Sequence, residues 1–210
     1  NLDLCCCKLE TDVRDGRSES LAAANPLVSV VIAARDEAQW IESTIRSVTD
    51  QTHRELEIIV IDDGSTDGTA DIAEACGDPR LRVIRRTPRG ACAARNAGLA
   101  LASGQLIQML DGDDLLAPHK IARQVARWTI EGDRHVYFGP YTRFSSNPRH
   151  SSRDPKPNWT DMSGHDWLVS CWLHGGMMPP HGWLTPAPLI RAAGPALTPF
   201  GVPGVLADPT

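Results

Sequence analysis

The sequence lacks an excess of basic residues and any long apolar run. Its 210 residues include 21 Lys and Arg against 26 Asp and Glu, so the formal net charge is −5. Without a basic stripe to neutralise phosphates, binding to nucleic acid is not expected. No apolar stretch approaches the roughly 20 residues that span a bilayer. Residues 2–7 are too short, and lack the basic start, for a signal peptide.

The sequence also lacks cysteines at the spacings of a zinc site or a disulfide framework. Cys5–Cys7 are adjacent, whereas Cys76, Cys92 and Cys171 are isolated. This usage predicts a reducing, cytoplasmic setting. Two interpretations of the cysteine triplet stay open. It is part of a disordered lead-in of residues 1–25, or it is acylated and gives peripheral association with the cytoplasmic face of the membrane.

A third absence is the G-x-G-x-x-G fingerprint of dinucleotide-binding oxidoreductases. That fingerprint would follow the first predicted strand, where residues 33–37 instead read A-A-R-D-E. The pattern excludes this enzyme class on an α/β sheet.

Short apolar runs alternate with helical patterns between residues 28 and 138. This alternation predicts βαβ units and therefore an α/β fold, with a Rossmann-like, mostly parallel sheet flanked by helices. After about residue 147, Pro, Ser, His and Trp dominate, and a helix is predicted at Gly164–Leu173. The predicted strands are Val28–Ile32, Leu56–Ile61, Leu81–Arg85, Leu106–Leu110 and Val136–Phe138.

Two of these strands run directly into acidic clusters, D-D at residues 62–63 and D-G-D-D at residues 111–114. Ligands of open α/β sheets bind beyond the carboxyl ends of the strands. Carboxylates crowded there repel one another unless a cation or a hydrogen-bond donor lies between them. The clusters therefore predict a metal-bound, phosphate-bearing substrate.

The spacing of Asp111 and Asp113 favours a hard cation. Two carboxylates separated by a glycine that permits a tight turn can face the same Mg²⁺ or Mn²⁺. These ions prefer few protein ligands together with diphosphate oxygens, so a nucleoside diphosphate is the expected third party. An isolated D-x-D is a weak indication, and its place after a buried strand makes it stronger.

Polar residues beside the acidic clusters have helix-capping interpretations. Asp36 is expected to cap the helix after the first strand, and Ser65 or Thr66 the helix after the second. Capping does not require the two adjacent acids Asp62 and Asp63, so it leaves them unexplained.

Two groups of arginines have a ligand-binding and a surface interpretation, and both stay open. Arg95, near the start of a helix of small residues, is suited to a diphosphate but equally to a surface ion pair. The basic patch is either a solvated strand edge or a contact for an anionic ligand or membrane surface. It comprises Arg82, Arg85, Arg86 and Arg89.

Taken in order, four motifs resemble the inverting family 2 glycosyltransferases of the GT-A fold. They are V-S-V-V-I-A-A-R-D-E at 28–37, D-D-G-S-T-D-G-T at 62–69, A-R-N-A-G at 94–98 and D-G-D-D at 111–114. The resemblance extends over roughly residues 27 to 195. It implies a nucleotide-sugar donor, commonly a UDP-sugar, with Mg²⁺ or Mn²⁺ on its diphosphate. It also implies inverting transfer to an acceptor, as in cell-envelope or polysaccharide biosynthesis, and leaves the saccharide, lipid or protein acceptor unidentified.

The resemblance further implies an organisation of the chain. Residues 26–146 would form the nucleotide-sugar-binding α/β half, and residues 147–195 an acceptor-side, loop-rich segment of the same domain. Residues 196–210 would form an atypical Pro- and Gly-rich tail.

In the first motif, the resemblance places Ala33, Arg35 and Glu37 on the wall of the donor pocket. Two departures are mild, since proline is usual where Ala33 stands and asparagine where Asp36 stands.

The other motifs supply the remaining implied site residues. Asp63 matches the acid that binds a uracil-type base, and Asp111 the acid near the ribose or donor sugar. Asp113 matches the metal-binding acid, and Arg95 falls on a helix that faces the donor diphosphate.

The general base of the family is missing from its expected place. It belongs to an acidic pair some ten residues after a segment resembling residues 189–195, but residues 196–210 contain only Asp208 as a carboxylate. We expect a chain truncated, or read out of frame, before the base. The alternative is a donor-binding module without transfer activity.

Aromatic residues of the last third have two interpretations. Trp159, Trp167, Trp172 and Trp183 stack on sugar rings or, alternatively, pack in the core or a lid. His181 similarly faces the acceptor or is structural.

Overall fold

The computed structural model describes residues 25–144, 160–174 and 179–195, which form alternating strands and helices. The strands are β1 (Val28–Ala34), β2 (Leu56–Asp62), β3 (Leu81–Arg85), β4 (Leu106–Asp111), β5 (Tyr137–Phe138) and β6 (Trp183–Pro186). The helices are α1 (Ile41–Thr49), α2 (Thr69–Ala75), α3 (Ala91–Leu101), α4 (Lys120–Glu131), α5 (Gly164–His174) and α6 (Ala187–Ala192). A short 3₁₀ turn, Pro180–Gly182, precedes β6.

The six strands form one sheet in the order β3-β2-β1-β4-β6-β5. The first four neighbours are parallel, which confirms the predicted α/β fold with its mostly parallel sheet. Strand β6 runs antiparallel to both β4 and β5. It was not predicted from the sequence, and it joins residues after 147 to the same sheet.

Strand β1 lies at the centre of the core and is buried along its whole length. Val30 and Ile32 belong to the apolar cluster that includes α1 and α4, whereas Val31 and Ala33 belong to the cluster on the α3 and α6 side. Alternating side chains of a strand point to opposite faces. A run that is apolar apart from Ser29 is therefore what a strand covered by helices on both faces requires.

The register brings the carboxyl ends of three strands to one edge of the sheet. Ala34 of β1 lies beside Asp62 of β2, and Ala33 lies beside Asp111 of β4. The two acidic clusters therefore begin within one residue of the same level of the sheet, as expected for ligand binding at this edge.

Helix α3 packs closely on the sheet through Gly98. A β-carbon at this position would overlap Val31 Cγ1 and lie 3.3 Å from Ile61 Cγ1.

We expect Gly98→Ala to lower the free energy of unfolding by about 1–2 kcal/mol, because overpacking outweighs the roughly 1 kcal/mol that alanine gains in a helix. Urea denaturation measures this change. Ala100→Gly, on the exposed side of α3, supplies the intrinsic helix term. A stabilised Gly98→Ala protein would contradict the packing.

Lys120 begins α4 with its ammonium group enclosed by protein, although part of the side chain keeps some exposure. Its Nζ donates to Gln108 Oε1, and desolvation lowers the pKa of Lys120 well below its usual value. Between that lowered pKa and about 10.4, the unfolded chain binds more protons than the folded one. The free energy of unfolding should therefore rise with pH in this window, by up to about 1.4 kcal/mol per pH unit.

Lys120→Met should remove this slope. Urea denaturation of both proteins between about pH 8 and 10 measures the difference in slope. The slope is the informative quantity, because the methionine also leaves Gln108 Oε1 without its lysine donor. Identical slopes in both proteins would show that Lys120 stays charged in the folded state.

Candidate donor site

A cleft of about 370 Å³ lies at the carboxyl edge of the sheet, beyond β1, β2 and β4. All seven residues implied by the resemblance line this one cleft. They are Ala33, Arg35, Glu37, Asp63, Arg95, Asp111 and Asp113.

The loops after β1 and β2 are joined to each other by side-chain hydrogen bonds. The Asp36 N–H donates to Ser65 Oγ (2.9 Å), and Asp36 Oδ1 accepts from the Thr66 N–H (2.8 Å). The Ala38 N–H donates to Asp67 Oδ2 (2.9 Å). These contacts hold the wall of the cleft that contains Arg35 and Glu37.

The capping expectations for these residues were wrong. Helix α1 begins at Ile41 with no side-chain cap, and α2 begins at Thr69 after Gly68, again with no side-chain cap. Asp36 instead adopts φ +55°, a left-handed conformation that aspartate tolerates better than most residues. Its side chain thereby reaches the neighbouring loop instead of the following helix.

Asp63 is buried, and its carboxylate already has hydrogen-bond donors around it within the protein. It accepts hydrogen bonds from the backbone N–H of Arg89 (3.0 Å) and of Gly90 (2.6 Å), and Arg86 Nε lies 3.3 Å away. Asp63 therefore holds residues 86–90, the segment that leads into α3, against the end of β2.

Two arginines of the basic patch have partners within the protein. Arg85 pairs with Asp71 and Glu74 on the exposed side of the sheet edge, as a solvated patch would. Arg86, by contrast, turns inward to Asp63 and donates to Ala93 O (2.7 Å). Sequence reasoning missed the Arg86 contact, because the spacing of the arginines does not show which one turns toward Asp63.

The acidic turn after β4 is fixed on both sides. The Gly112 N–H donates to Ala33 O (3.0 Å), and Thr44 Oγ1 donates to Gly112 O (2.8 Å). A β-carbon at Gly112 would lie only 3.0 Å from Ala34 Cβ and 3.1 Å from Glu37 Cγ. A larger residue would have to displace these neighbours slightly, so glycine lets the turn lie this close to the end of β1.

Arg95 and Asp111 form an ion pair across the cleft, with Arg95 Nη2 2.5 Å from Asp111 Oδ1. The buried Nε of Arg95 has no hydrogen-bond partner among the described residues. The surface-pair interpretation of Arg95 is thus only half right. It makes an ion pair, but one that lines the cleft, and it retains a donor without a partner.

Asp113 lies at the exposed mouth of the cleft and makes no ion pair within the described part of the chain. Partial burial, and then the charges of Asp114 and Asp111, raise the pKa of its carboxyl group. Partial burial likewise raises the pKa of Glu37, with further contributions from Asp113 and other nearby acids. Negative charge concentrated in this way attracts a cation.

The candidate metal ligands at this cleft suit a hard divalent ion, because they are carboxylate oxygens. Among the described residues, no three His, Cys, Asp or Glu side chains are grouped closely enough to hold a metal by themselves. An ion of the Mg²⁺ type would take one or two carboxylates and complete its shell with phosphate oxygens and water.

A second pocket, of about 570 Å³, adjoins the cleft and shares Asp111 and Asp113 with it. His181 Nδ1 lies 2.6 Å from Asp114 Oδ2 in this pocket. The contact joins residues 67 positions apart, so the sequence alone offered no sign of it.

The tryptophan predictions are answered only in part. Trp167 packs edge-on against Trp183 with ring centroids 5.3 Å apart, which agrees with the packing interpretation for this pair. Trp159, the Trp172 side chain and the missing base in residues 196–210 lie outside the described residues.

In the described part of the chain, no helix combines the length and apolarity that crossing a membrane requires.

Comparison with known proteins gives a consistent match. A family model described as "Glycosyl transferase family 2" matches residues 29–177. The chain is 41% identical over 100 residues to the UDP-Glc:alpha-D-GlcNAc-diphosphoundecaprenol beta-1,3-glucosyltransferase WfaP of Escherichia coli, covering 47% of this chain and 40% of the relative. It is 40% identical over 103 residues to the putative teichuronic acid biosynthesis glycosyltransferase TuaG of Bacillus subtilis, covering 48% and 41% respectively.

Among solved structures, the fold is similar to that of the mannosyltransferase PcManGT from Pyrobaculum calidifontis in complex with GDP-Man and Mn²⁺. The TM-score is 0.63 at 20% identity, covering 87% of this chain and 54% of that one. The chain spans less than half the length of the two curated relatives.

Proposed function

This chain belongs to glycosyl transferase family 2, and from that premise we propose that its protein transfers a sugar from a nucleoside-diphosphate sugar to an acceptor, with inversion at the anomeric carbon. One observation supports the proposal above the others. Seven residues from four separate segments of the sequence line a single cleft at the carboxyl edge of the sheet. A donor-binding module without transfer activity is not favoured, since the relatives matched over this region are named as transferases.

UDP is the proposed nucleotide. The name of the related protein WfaP specifies a UDP-sugar donor, and the base is proposed to bind at the side of the cleft that Asp63 lines. Since the Asp63 carboxylate already accepts backbone hydrogen bonds, its proposed role is to shape the base pocket through residues 86–90.

Mg²⁺ or Mn²⁺ is the proposed cofactor, and Asp113 is the residue that would hold it. A bound divalent cation would neutralise charge on the diphosphate leaving group. Arg95, which lines the same cleft, is proposed to pair with a diphosphate oxygen through guanidinium N–H groups that Asp111 does not use. The proposed chemistry is attack of an acceptor oxygen on the anomeric carbon while the bond to the nucleoside diphosphate breaks.

Donor hydrolysis in water tests this proposal without knowledge of the acceptor. The protein is incubated with UDP-glucose, UDP-galactose, UDP-N-acetylglucosamine and GDP-mannose in the presence of Mg²⁺, and proton NMR follows the released sugar. We expect slow release from at least one α-linked UDP-sugar, with the β-anomer appearing first. Release of the α-anomer first would contradict inversion, and failure of every donor to bind would contradict the proposed function.

Arg95→Met should weaken binding of UDP by about tenfold. The change removes one charge-assisted hydrogen bond to the diphosphate and is moderated by partial exposure of the guanidinium group. Isothermal titration calorimetry with UDP and Mg²⁺ measures the effect. Arg82→Met, on the exposed side of β3, is the matched control and should leave the affinity unchanged. Equal UDP affinities for all three proteins would show that Arg95 does not contribute to UDP binding.

A further inference from the structure

Lysine is rare in this chain. The sequence contains 3 lysines against 18 arginines, and Lys120 is the one lysine within the residues that the structure describes. An arginine keeps its charge at any pH that a protein meets, whereas a buried lysine readily loses its proton. A lysine at an enclosed position of an arginine-rich chain therefore favours a role that needs a neutral amine.

The Lys120 amine is enclosed without a counter-ion. Its Nζ donates to a neutral acceptor, Gln108 Oε1, and has no other hydrogen-bond partner among the described residues. An ammonium group has three N–H donors, so the charged form would leave two of them without an acceptor. Desolvation lowers the pKa of Lys120 well below its usual value. The neutral form, whose lone pair is a nucleophile, is thereby favoured.

The amine lies beside a cavity of about 730 Å³, which α1, the loop after β4 and the segment after β5 line together with Lys120. Gly139, another lining residue, leaves space at the end of the lysine. A β-carbon at Gly139 would lie 4.0 Å from Lys120 Cε and 3.6 Å from Gln124 Nε2. Much of the wall is apolar, as at Leu115 and Pro140. A cavity of this size and character suits a small molecule with an apolar body.

The charged and titratable side chains at this cavity do not neutralise Lys120. They are Arg46, Asp50, Asp114 and His181. Arg46 pairs with an acid one turn earlier on α1, and Asp114 pairs with His181. None of the four forms an ion pair with Lys120 in the described part of the chain. Two carboxylates at the cavity disfavour anionic reagents such as the carriers of acyl groups. A small neutral aldehyde meets no such barrier.

We propose that Lys120 is a covalent binding site for small aldehydes that carry an apolar or aromatic body. The lone pair of Nζ attacks the carbonyl carbon, and the π electrons of the C=O bond move to the oxygen, which is protonated as the nitrogen loses a proton. Loss of water then gives an imine, so that one amine and one aldehyde yield one imine and one water molecule. The site is separate from the donor cleft, whose lining does not include Lys120.

Benzaldehyde is the probe that tests this site. The full chain is incubated briefly with benzaldehyde at limiting concentration, and sodium borohydride then reduces any imine to a stable benzylamine. Mass spectrometry of the peptides gives the benzylated fraction of each lysine. Lys8 and Lys156, which lie outside the described residues, are the internal comparison. The α-amino group titrates near pH 8 and is scored separately.

Lys120 should be benzylated at least about tenfold more than Lys8 or Lys156 at pH 7, because an ordinary lysine is neutral in only about one molecule in 2,500 at that pH. At pH 10 the advantage should shrink to about fourfold or less, since an ordinary lysine is then roughly one quarter neutral. A benzylated fraction at Lys120 that does not exceed those of Lys8 and Lys156 at pH 7 would overturn the proposal.

Gly139→Ala tests the geometry of the approach. The added methyl group would stand beside Lys120 Cε at ordinary contact distance, so the fold should tolerate it while the space for an aldehyde is reduced. Benzylation of Lys120 at pH 7 should fall by about fivefold or more. Ile130→Ala, on the same helix at a 78% exposed position, should leave it unchanged. Urea denaturation verifies that both variants are folded. Benzylation in Gly139→Ala equal to or above that of wild type would contradict reaction through the cavity.

Discussion

Asp63→Ala is expected to lower the free energy of unfolding by about 3–5 kcal/mol, the usual effect of removing one partner of a buried ion pair. The Asp63 side chain is 3% exposed and that of Arg86 18%. Without the carboxylate, the Arg86 guanidinium and the N–H groups of Arg89 and Gly90 lose their acceptor. Because Arg86 also donates to Ala93 O, the lower end of this range is the better expectation.

Asp71→Ala provides the matched control for this prediction. Asp71 also pairs with an arginine of the basic patch, but its side chain is 74% exposed and that of its partner Arg85 is 50% exposed. Solvent and salt screen such pairs, so little change in stability is expected. Urea denaturation of the three proteins measures the difference. Equal losses in both variants would show that burial does not distinguish Asp63 from a surface carboxylate.

The same Asp63→Ala protein should bind UDP poorly even under conditions in which it remains folded. The reason is indirect, since Asp63 fixes residues 86–90, and Gly90 and Ala91 line the donor cleft. Calorimetry at low temperature, with circular dichroism to verify folding, measures this. Unchanged UDP affinity in a folded Asp63→Ala protein would remove this segment from the base pocket.

Asp113→Asn is expected to lower the rate of donor hydrolysis by about 100-fold or more, which is typical when a metal site or a group stabilising leaving-group charge is lost. The substitution preserves the shape of the side chain but removes its charge. Asp113 makes no ion pair among the described residues, so little structural damage should accompany the loss of function.

Two further measurements verify that interpretation. The midpoint of urea denaturation of Asp113→Asn should equal or exceed that of the wild type, because relieving repulsion from Asp111 and Asp114 removes an unfavourable interaction. Asp71→Asn, the same chemical change at an exposed site away from the cleft, should leave hydrolysis unchanged. A large loss of stability in Asp113→Asn would make its effect on activity a folding effect.

Much of the parallel part of the fold was predictable because the relevant signals are local. The apolar runs of β1, β2 and β4 are bounded by loop residues, and each is buried as predicted. The acidic residues at the carboxyl ends of β2 and β4 lie at one edge of the sheet because parallel strands align their ends. Helix α5 extends one residue beyond its predicted end, Leu173.

Contacts between distant segments could not be predicted in the same way. Strand β6 is four residues long, and its pairing with β4 depends on Thr185 and Pro186 meeting a strand almost 80 positions earlier. Asp36 was predicted to be a helix cap because an aspartate that caps a helix and one that bridges two loops both accept backbone hydrogen bonds. Only the identity of the donor distinguishes the two roles. The contact between Asp114 and His181 could not be predicted for the same reason, since both residue types are common in loops and neither indicates its partner.

The central claim is that the carboxyl edge of this sheet binds a nucleoside diphosphate together with a divalent cation held by Asp113. Calorimetric titration of UDP into wild type and Asp113→Asn, each with Mn²⁺ and with EDTA, tests it most directly. We expect UDP to bind wild type at least about tenfold more tightly with Mn²⁺ than with EDTA, and Asp113→Asn to bind equally weakly in both. UDP affinity that is indifferent to Mn²⁺ in wild type, or that keeps its full Mn²⁺ dependence in Asp113→Asn, would contradict the account.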